Sequence, residues 1–179
     1  IGWRGDRIRS PGSIDSPFSR EGTFLANNFL FALFAFVVLL GTIFPLLVEA
    51  VSNEQIAVGR PYFDRMLMPI GLALLALMSV SPMLSWRSTS FTTLAGKLLG
   101  PSACGAGTMA LSISLGAHGV WPVLGLGLGG STLGSAAYQI LIGTRRYGWK
   151  GIIGRTGGGM IAHIGIALIA FGFIASTAF

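Results

Sequence analysis

The sequence predicts an all-α fold, a polytopic transmembrane helical bundle of about five spans. Only 10% of the 179 residues are charged and 52% are hydrophobic, whereas soluble domains carry roughly 25% charged residues. Several uncharged runs follow one another, and a helix of about 20 apolar residues is long enough to cross the ~30 Å hydrocarbon core of a bilayer. We therefore interpret residues 1–179 as a single transmembrane region in the lipid bilayer.

The first two predicted spans flank a charged loop. The first span, residues 23–48, contains the uncharged run FLFALFAFVVLLGTIFPLLV. Residues 49–65 are predicted to form a loop, because they carry several charges and are interrupted by a glycine and a proline. The second span, residues 66–84, is followed by Trp86 and Arg87, which are typical of a membrane interface.

The last three predicted spans have more broken patterns. Residues 98–115 follow a polar stretch and are rich in glycine, serine and alanine. Residues 120–143 contain VLGLGLGG, whose small residues give a smooth face for close contact between helices. The basic segment TRRYGWKGIIGR then leads to the fifth span, residues 157–179.

Lysine and arginine are distributed unevenly between the loops. Residues 1–22, 85–97 and 144–156 hold ten of the twelve, and residues 49–65 hold the other two. Because basic loops stay in the cytoplasm, this pattern predicts a plasma (inner) membrane protein with a cytoplasmic N-terminus and an external C-terminus. The same topology explains the net charge of +6, so we predict no nucleic-acid partner.

The composition argues against several functional classes. The single cysteine, Cys104, excludes a disulfide framework and a Cys-x-x-Cys-His heme attachment motif, so the chain is not itself a c-type cytochrome. No predicted span contains an acidic residue, although ion carriers normally keep a carboxylate in the membrane. No nucleophile and base stand at a useful spacing, so we assign no catalytic residue.

His163 is the main candidate for chemistry. It lies in RTGGGMIAHIGIALIAFGF, with no charged residue within seven positions on either side. An imidazole without a partner in hydrocarbon is costly, and a neutral imidazole binds iron through one nitrogen while the other donates a hydrogen bond. His163 is therefore a candidate metal ligand for heme iron. The alternative is a hydrogen bond across a helix interface, with the neighbouring glycines as a packing surface.

Two other candidates are weaker. His118 lies in the short turn GAHG, where water can satisfy the imidazole. Met160 is interpreted as a packing residue rather than an axial ligand. A heme held by both His118 and His163 is not expected, because the two residues are assigned to opposite halves of the membrane.

Four segments resemble one known family in their residues, order and spacing. They are SREGTFLANNFLF (19–31), LLGTIFPL (39–46), IAVGRPYFDRMLMPIGL (56–72) and GGGMIAHIG (157–165). The chain resembles the CcmF family of cytochrome c-type biogenesis proteins, the membrane heme lyases that include the nitrite reductase assembly variant NrfE. It is similar to a C-terminal-side portion of such a protein.

The resemblance implies a function. Such proteins accept heme from a heme chaperone on the outer side of the membrane and join its vinyl groups to the cysteines of an apocytochrome c. They also hold a heme b between two membrane histidines. His163 stands in the motif that supplies the later of these two, so the resemblance implies that it is an axial ligand of the heme iron.

The chain also departs from the family pattern. It has no Trp-rich segment of the WGxWWxWD kind, no histidines flanking such a segment and no earlier membrane histidine. We therefore expect a fragment or split subunit whose second heme ligand comes from the remaining part of the heme lyase or its other subunits, and the enzyme assignment stays open. The alternative is an accessory or structural membrane subunit that packs in a larger complex without its own cofactor.

Overall fold

The computed structural model describes residues 18–179, apart from the side chains of residues 155 and 156. This part of the chain forms α-helices and one 3-10 turn, with no strand. The elements are α1 Arg20–Ser52, α2 Arg60–Val80, the 3-10 turn Ser81–Met83, α3 Phe91–Ser114, α4 Val120–Tyr147, α5 Lys150–Ile153 and α6 Arg155–Ala178. The all-α prediction is confirmed. Residues 1–17 of the predicted basic segment 1–22 lie outside the described residues.

Three of the helices are long and apolar enough to cross a membrane, namely Arg20–Ser52, Arg60–Met83 and Gly157–Ala178. Helices α3 and α4 cover the other two predicted spans and are 24 and 28 residues long. Their many glycine, serine and alanine residues make them less apolar. The number of spans and the orientation of the termini therefore remain predictions.

Two helices begin earlier than the polar patterns indicate. Helix α2 has Gly59 as its N-cap and Pro61 in its first turn, where proline is tolerated because the first amides of a helix have no intrahelical partner. The connection after α1 is therefore confined to residues 53–59, shorter than the predicted loop 49–65. Helix α3 also starts within the predicted polar stretch, because the Ser90 side chain accepts a hydrogen bond from an amide of its first turn.

Helix α4 lies at the centre of the bundle, in contact with α2, α3 and α6. Its glycines allow these close approaches. A Cβ atom added at Gly130 would overlap the Thr108 side chain of α3, and one added at Gly129 would lie 2.8 Å from the Phe171 ring of α6. The predicted close packing of the glycine-rich helix is confirmed, and these partners belong to the same chain.

Polar side chains of α4 bind the end of α2. Ser135 donates to the carbonyl oxygen of Ser79 at 2.6 Å, and Gln139 donates to that of Pro82 at 2.5 Å. Thr132 donates to a further carbonyl of α2. The last carbonyl groups of a helix have no intrahelical partner, so the bonds from Ser135 and Gln139 satisfy backbone groups that hydrocarbon cannot satisfy, whereas Thr132 binds a carbonyl in the interior of α2.

Helices α1 and α6 flank the bundle. Helix α1 packs mainly on α2, where the Tyr62 hydroxyl donates to the carbonyl oxygen of Val37 at 3.1 Å. Helix α6 packs mainly on α4. Both leave large apolar side chains exposed, such as Phe29 and Phe173. A cleft remains between α1 and α6 at the end of the bundle where α1 begins.

Replacing Gly105 by alanine is expected to destabilise the bundle by about 1–3 kcal/mol, the usual cost of overpacking. A Cβ atom at this position would lie 2.7 Å from the carbonyl oxygen of Gly127 and would overlap the Ser131 hydroxyl. The measurement is the thermal unfolding midpoint in detergent.

Gly107→Ala is the matched control in the same helix. A Cβ atom there meets no atom within 4 Å, so the unfolding midpoint should stay constant or rise, because alanine favours helix by up to about 1 kcal/mol over glycine. Equal midpoints for Gly105→Ala and Gly107→Ala would contradict the close contact between α3 and α4.

Candidate functional site

A cavity of about 460 Å³ lies between α1 and α6, with α2 and α4 behind it. This volume falls in the range of small-molecule sites, about 300–1,000 Å³. Helix α1 contributes residues at helical spacing, so that one face of the helix lines the cavity: Arg20, Thr23, Phe24, Asn27 and Phe31. Helix α6 contributes Gly159, Met160, His163 and Ile166, and the remaining walls are Leu77, Met78, Ser81, Pro82, Trp86 and Gln139.

His163 lines this cavity and is half-buried. Its Nδ1 atom lies 2.9 Å from the backbone carbonyl oxygen of Gly159, one turn earlier. A carbonyl oxygen only accepts, so in the neutral ring Nδ1 carries the proton and Nε2 keeps the lone pair. Nε2 makes no hydrogen bond within residues 18–179. The ring therefore has the tautomer in which Nε2 can bind a metal.

The packing of α6 explains why the His163 ring reaches the cavity. Ala167, Phe171 and Ile174 follow His163 at helical spacing, and they form the stripe of α6 that faces the bundle. Ala167 is fully buried, and the side chains of Phe171 and Ile174 pack against glycines of α4. His163 lies one turn before Ala167, where this stripe meets the cavity. A Cβ atom at Gly159 would meet no atom within 4 Å, so the space beside the imidazole is open.

Arg20 brings a positive charge to the same cavity. Its Nε donates to the carbonyl oxygen of Leu84 at 2.8 Å, and its guanidinium carbon lies 5.8 Å from the centre of the Trp86 ring. This geometry is a cation–π contact. No carboxylate of the described residues pairs with Arg20. Its terminal nitrogens thus remain available to an anionic group in the cavity.

Two amide side chains also line the cavity. The Asn27 amide has no hydrogen-bond partner among residues 18–179, whereas the Gln139 amide is fixed on the Pro82 carbonyl. The sequence patterns did not connect Arg20, Asn27 or Trp86 with His163, since these residues come from three distant segments of the chain. An asparagine inside an otherwise apolar run was the one available signal.

The other sequence candidates have different environments. The His118 side chain is exposed, and its backbone amide donates to the carbonyl oxygen of Ala178 at 3.0 Å. Ala178 lies fifteen residues after His163 on α6, or about 22 Å of helical rise, so the two histidines lie toward opposite ends of this helix. Met160, interpreted from the sequence as a packing residue, lines the cavity beside His163.

The residues of the cavity fit a heme better than a bare metal ion. The described residues contain no group of three or more His, Cys, Asp or Glu side chains that could hold a metal ion. One free imidazole nitrogen suits an iron whose other ligands come mostly from a macrocycle. Aromatic side chains, including Phe24 and Trp86, suit the flat faces of a porphyrin, and a guanidinium such as that of Arg20 suits its carboxylates.

Comparison with known proteins gives one consistent result. No family model and no solved structure matches the chain. The chain is similar to the cytochrome c-type biogenesis protein CcmF of Pseudomonas aeruginosa, with 32% identity over 167 residues that cover 89% of this chain and 25% of the relative.

Two further relatives carry related names. The cytochrome c-type biogenesis protein CycK of Rhizobium meliloti is 31% identical over 180 residues, which cover 94% of this chain and 26% of the relative. The probable cytochrome c-type biogenesis protein NrfE of Escherichia coli is 34% identical over 101 residues, which cover 55% of this chain and 18% of the relative.

The resemblance seen in the four sequence segments is thereby confirmed. The chain spans about a quarter of the length of the first two relatives, and the match extends along most of the chain itself. The chain belongs to the CcmF family of cytochrome c-type biogenesis proteins.

Proposed function

We propose that this chain is a multi-pass component of cytochrome c maturation in the plasma membrane, and that His163 supplies one axial ligand of a heme b. The observation that carries the proposal is a membrane imidazole beside a cavity, whose Nδ1 is bound to the Gly159 carbonyl and whose Nε2 has no hydrogen-bond partner within the described part of the chain. The family supplies the biological context, because its relatives are named cytochrome c-type biogenesis proteins.

Each residue of the cavity has a distinct role in this proposal. His163 would hold the iron through Nε2, and the Gly159 carbonyl orients the ring by accepting a hydrogen bond from Nδ1. Phe24, Phe31 and other apolar side chains would contact the faces and edges of the macrocycle. When bound, the heme supplies one-electron redox chemistry at its iron.

The open side of the cavity suggests where the second ligand enters. The cleft lies between α1 and α6, and His118 is on a distant turn. We therefore assign the second axial ligand to the remaining part of the heme lyase or to another subunit. Since the chain has no Cys-x-x-Cys-His motif, the apocytochrome c is a separate substrate protein, and the heme chaperone is a further proposed partner.

One observation favours the alternative function of an accessory subunit without a cofactor. Cβ atoms at Gly158, Gly165 and Gly172 of α6 would meet no atom within 4 Å, so this face can accept a neighbouring helix closely. The glycines of α4 do not favour this alternative, because their partners belong to the same chain. The two functions differ in whether Nε2 of His163 binds iron or a protein donor.

Replacing His163 by glycine is expected to reduce the b-type heme content by more than roughly 10-fold, because removing only the hydrogen-bond partner of a metal ligand already costs a metal site that much. The chain is expressed together with the segment or subunit that supplies the second ligand and is purified in detergent. Reduced-minus-oxidised absorbance measures the heme. Added imidazole should restore the spectrum, because it fills the space of the missing ring beside Gly159.

His118→Gly is the matched control, since it removes the other histidine of the chain. Its heme content should equal that of the unchanged protein. If His163→Gly also keeps its full heme content, the ligand assignment is wrong and the accessory function is favoured.

Replacing Arg20 by glutamine is expected to lower the midpoint potential of the heme by an amount on the order of tens of millivolts, because a nearby cation favours the reduced iron. Arg20→Lys keeps the charge and should have a smaller effect. Arg87 is exposed and does not line the cavity, so Arg87→Gln is the control. Equal shifts in Arg20→Gln and Arg87→Gln would contradict a specific role for Arg20. The measurement is a potentiometric titration.

A further inference from the structure

A second cavity, of about 270 Å³, lies where α4 ends and α5 and α6 begin. Two basic side chains, Arg146 and Lys150, line it together with Tyr147. The remaining walls are Gln139, Ile142 and three glycines. The proposed heme site does not use these basic residues.

Glycines bring the two cations together. Gly148 has a φ of 57°, which glycine adopts without strain, and it reverses the chain after α4. A Cβ atom at Gly151 would overlap the backbone of Gly143, so only glycine lets α5 fold back onto the end of α4. Lys150 thereby faces the same cavity as Arg146 of the last turn of α4.

Within residues 18–179 these charges have no neutralising partner. No aspartate or glutamate follows Asp64 in the sequence, and within the described residues neither Arg146 nor Lys150 forms an ion pair. The negative end of the α4 dipole accounts for a cation in its last turn. It does not account for Lys150, which belongs to a separate one-turn helix. Both side chains are exposed, and because they line one cavity together with Tyr147 they form a site that suits an external anion.

The surroundings of the cavity indicate that this anion is part of a membrane. Tyr147, Trp149 and Ile153 are 69%, 81% and 83% exposed. Tyrosine and tryptophan are enriched where a membrane meets water, and an exposed isoleucine beside them suits the start of the acyl region. A soluble anion would gain nothing from these apolar surfaces, whereas a phospholipid contacts them with its glycerol and acyl groups.

We propose that this cavity binds the phosphate head group of an anionic phospholipid. Arg146 and Lys150 contact the phosphate oxygens, and Tyr147, which also lines the cavity, offers a hydroxyl donor. Basic pockets between membrane helices are a known way of binding anionic head groups. The proposal does not depend on the heme assignment of His163.

The test compares bilayer nanodiscs of phosphatidylcholine with nanodiscs that also contain phosphatidylglycerol. Native mass spectrometry of the protein released from them counts retained phosphatidylglycerol. Each removed cation near a membrane surface weakens lipid binding about fivefold, so Arg146→Gln/Lys150→Gln should lower the retention of phosphatidylglycerol roughly 30-fold and leave that of phosphatidylcholine unchanged.

Arg87→Gln/Lys97→Gln removes the same net charge from residues that do not line the cavity, and it should keep the bound lipid. Arg146→Lys and Lys150→Arg preserve both charges and test the proposal if the neutral variant does not fold. Equal retention in the two double variants would overturn the proposal. If millimolar inorganic phosphate displaces the lipid, the ligand of this cavity is a free anion and not a phospholipid. If Arg146→Gln/Lys150→Gln loses heme, the two cations belong to the cofactor site and the lipid proposal is wrong.

Discussion

The close approach of α4 to its neighbours is the constraint on which the rest of the bundle depends. In lipid there is no hydrophobic driving force between helices, so association rests on backbone proximity, dispersion and hydrogen bonds. Gly127 lies against Gly105 of α3, and Gly129 receives the ring of Phe171 of α6. Because Phe171 fixes α6 two turns after His163, the same contact sets where the imidazole lies. A glycine on one helix thus positions a candidate iron ligand on another.

The imidazole differs from the other polar side chains of the helices in one respect. Hydroxyl groups such as those of Thr108 and Ser176 bond carbonyl groups one turn earlier in their own helix, which satisfies them in an apolar medium. His163 does the same with Nδ1. Its second nitrogen lies on the opposite edge of the ring and cannot reach the backbone of its own helix. The local sequence therefore satisfies half of the imidazole and leaves the other half to a ligand or to another chain.

The sequence predicted the parts of this site that depend on local pattern. Long apolar runs predicted the helices, and an isolated histidine among glycines predicted His163 as the residue with unusual chemistry. The cavity could not be predicted, because its walls come from α1 and α6, whose contacts depend on how α2 and α4 pack between them. Arg20 was interpreted only as one of the basic residues that set the orientation of the chain in the membrane. Nothing in the neighbouring sequence indicates that it lines a cavity together with a residue 143 positions later. Pro61 was interpreted as a loop residue, because the pattern does not distinguish a proline that interrupts a helix from one that begins it.

The two cavities share a wall that is formed by one side chain. Gln139 contributes to both, and its amide is held on the carbonyl oxygen of Pro82. Arg20 lies on one side of this neutral wall, and Arg146 and Lys150 lie on the other. Arg146 and Lys150 are exposed, so charges on the two sides of this wall act on each other most strongly at low ionic strength. An anion held by Arg146 and Lys150 would cancel part of the positive field at the first cavity and so favour the oxidised form of an iron bound to His163. The redox behaviour of the proposed cofactor would then depend on the surrounding lipid as well as on its axial ligands.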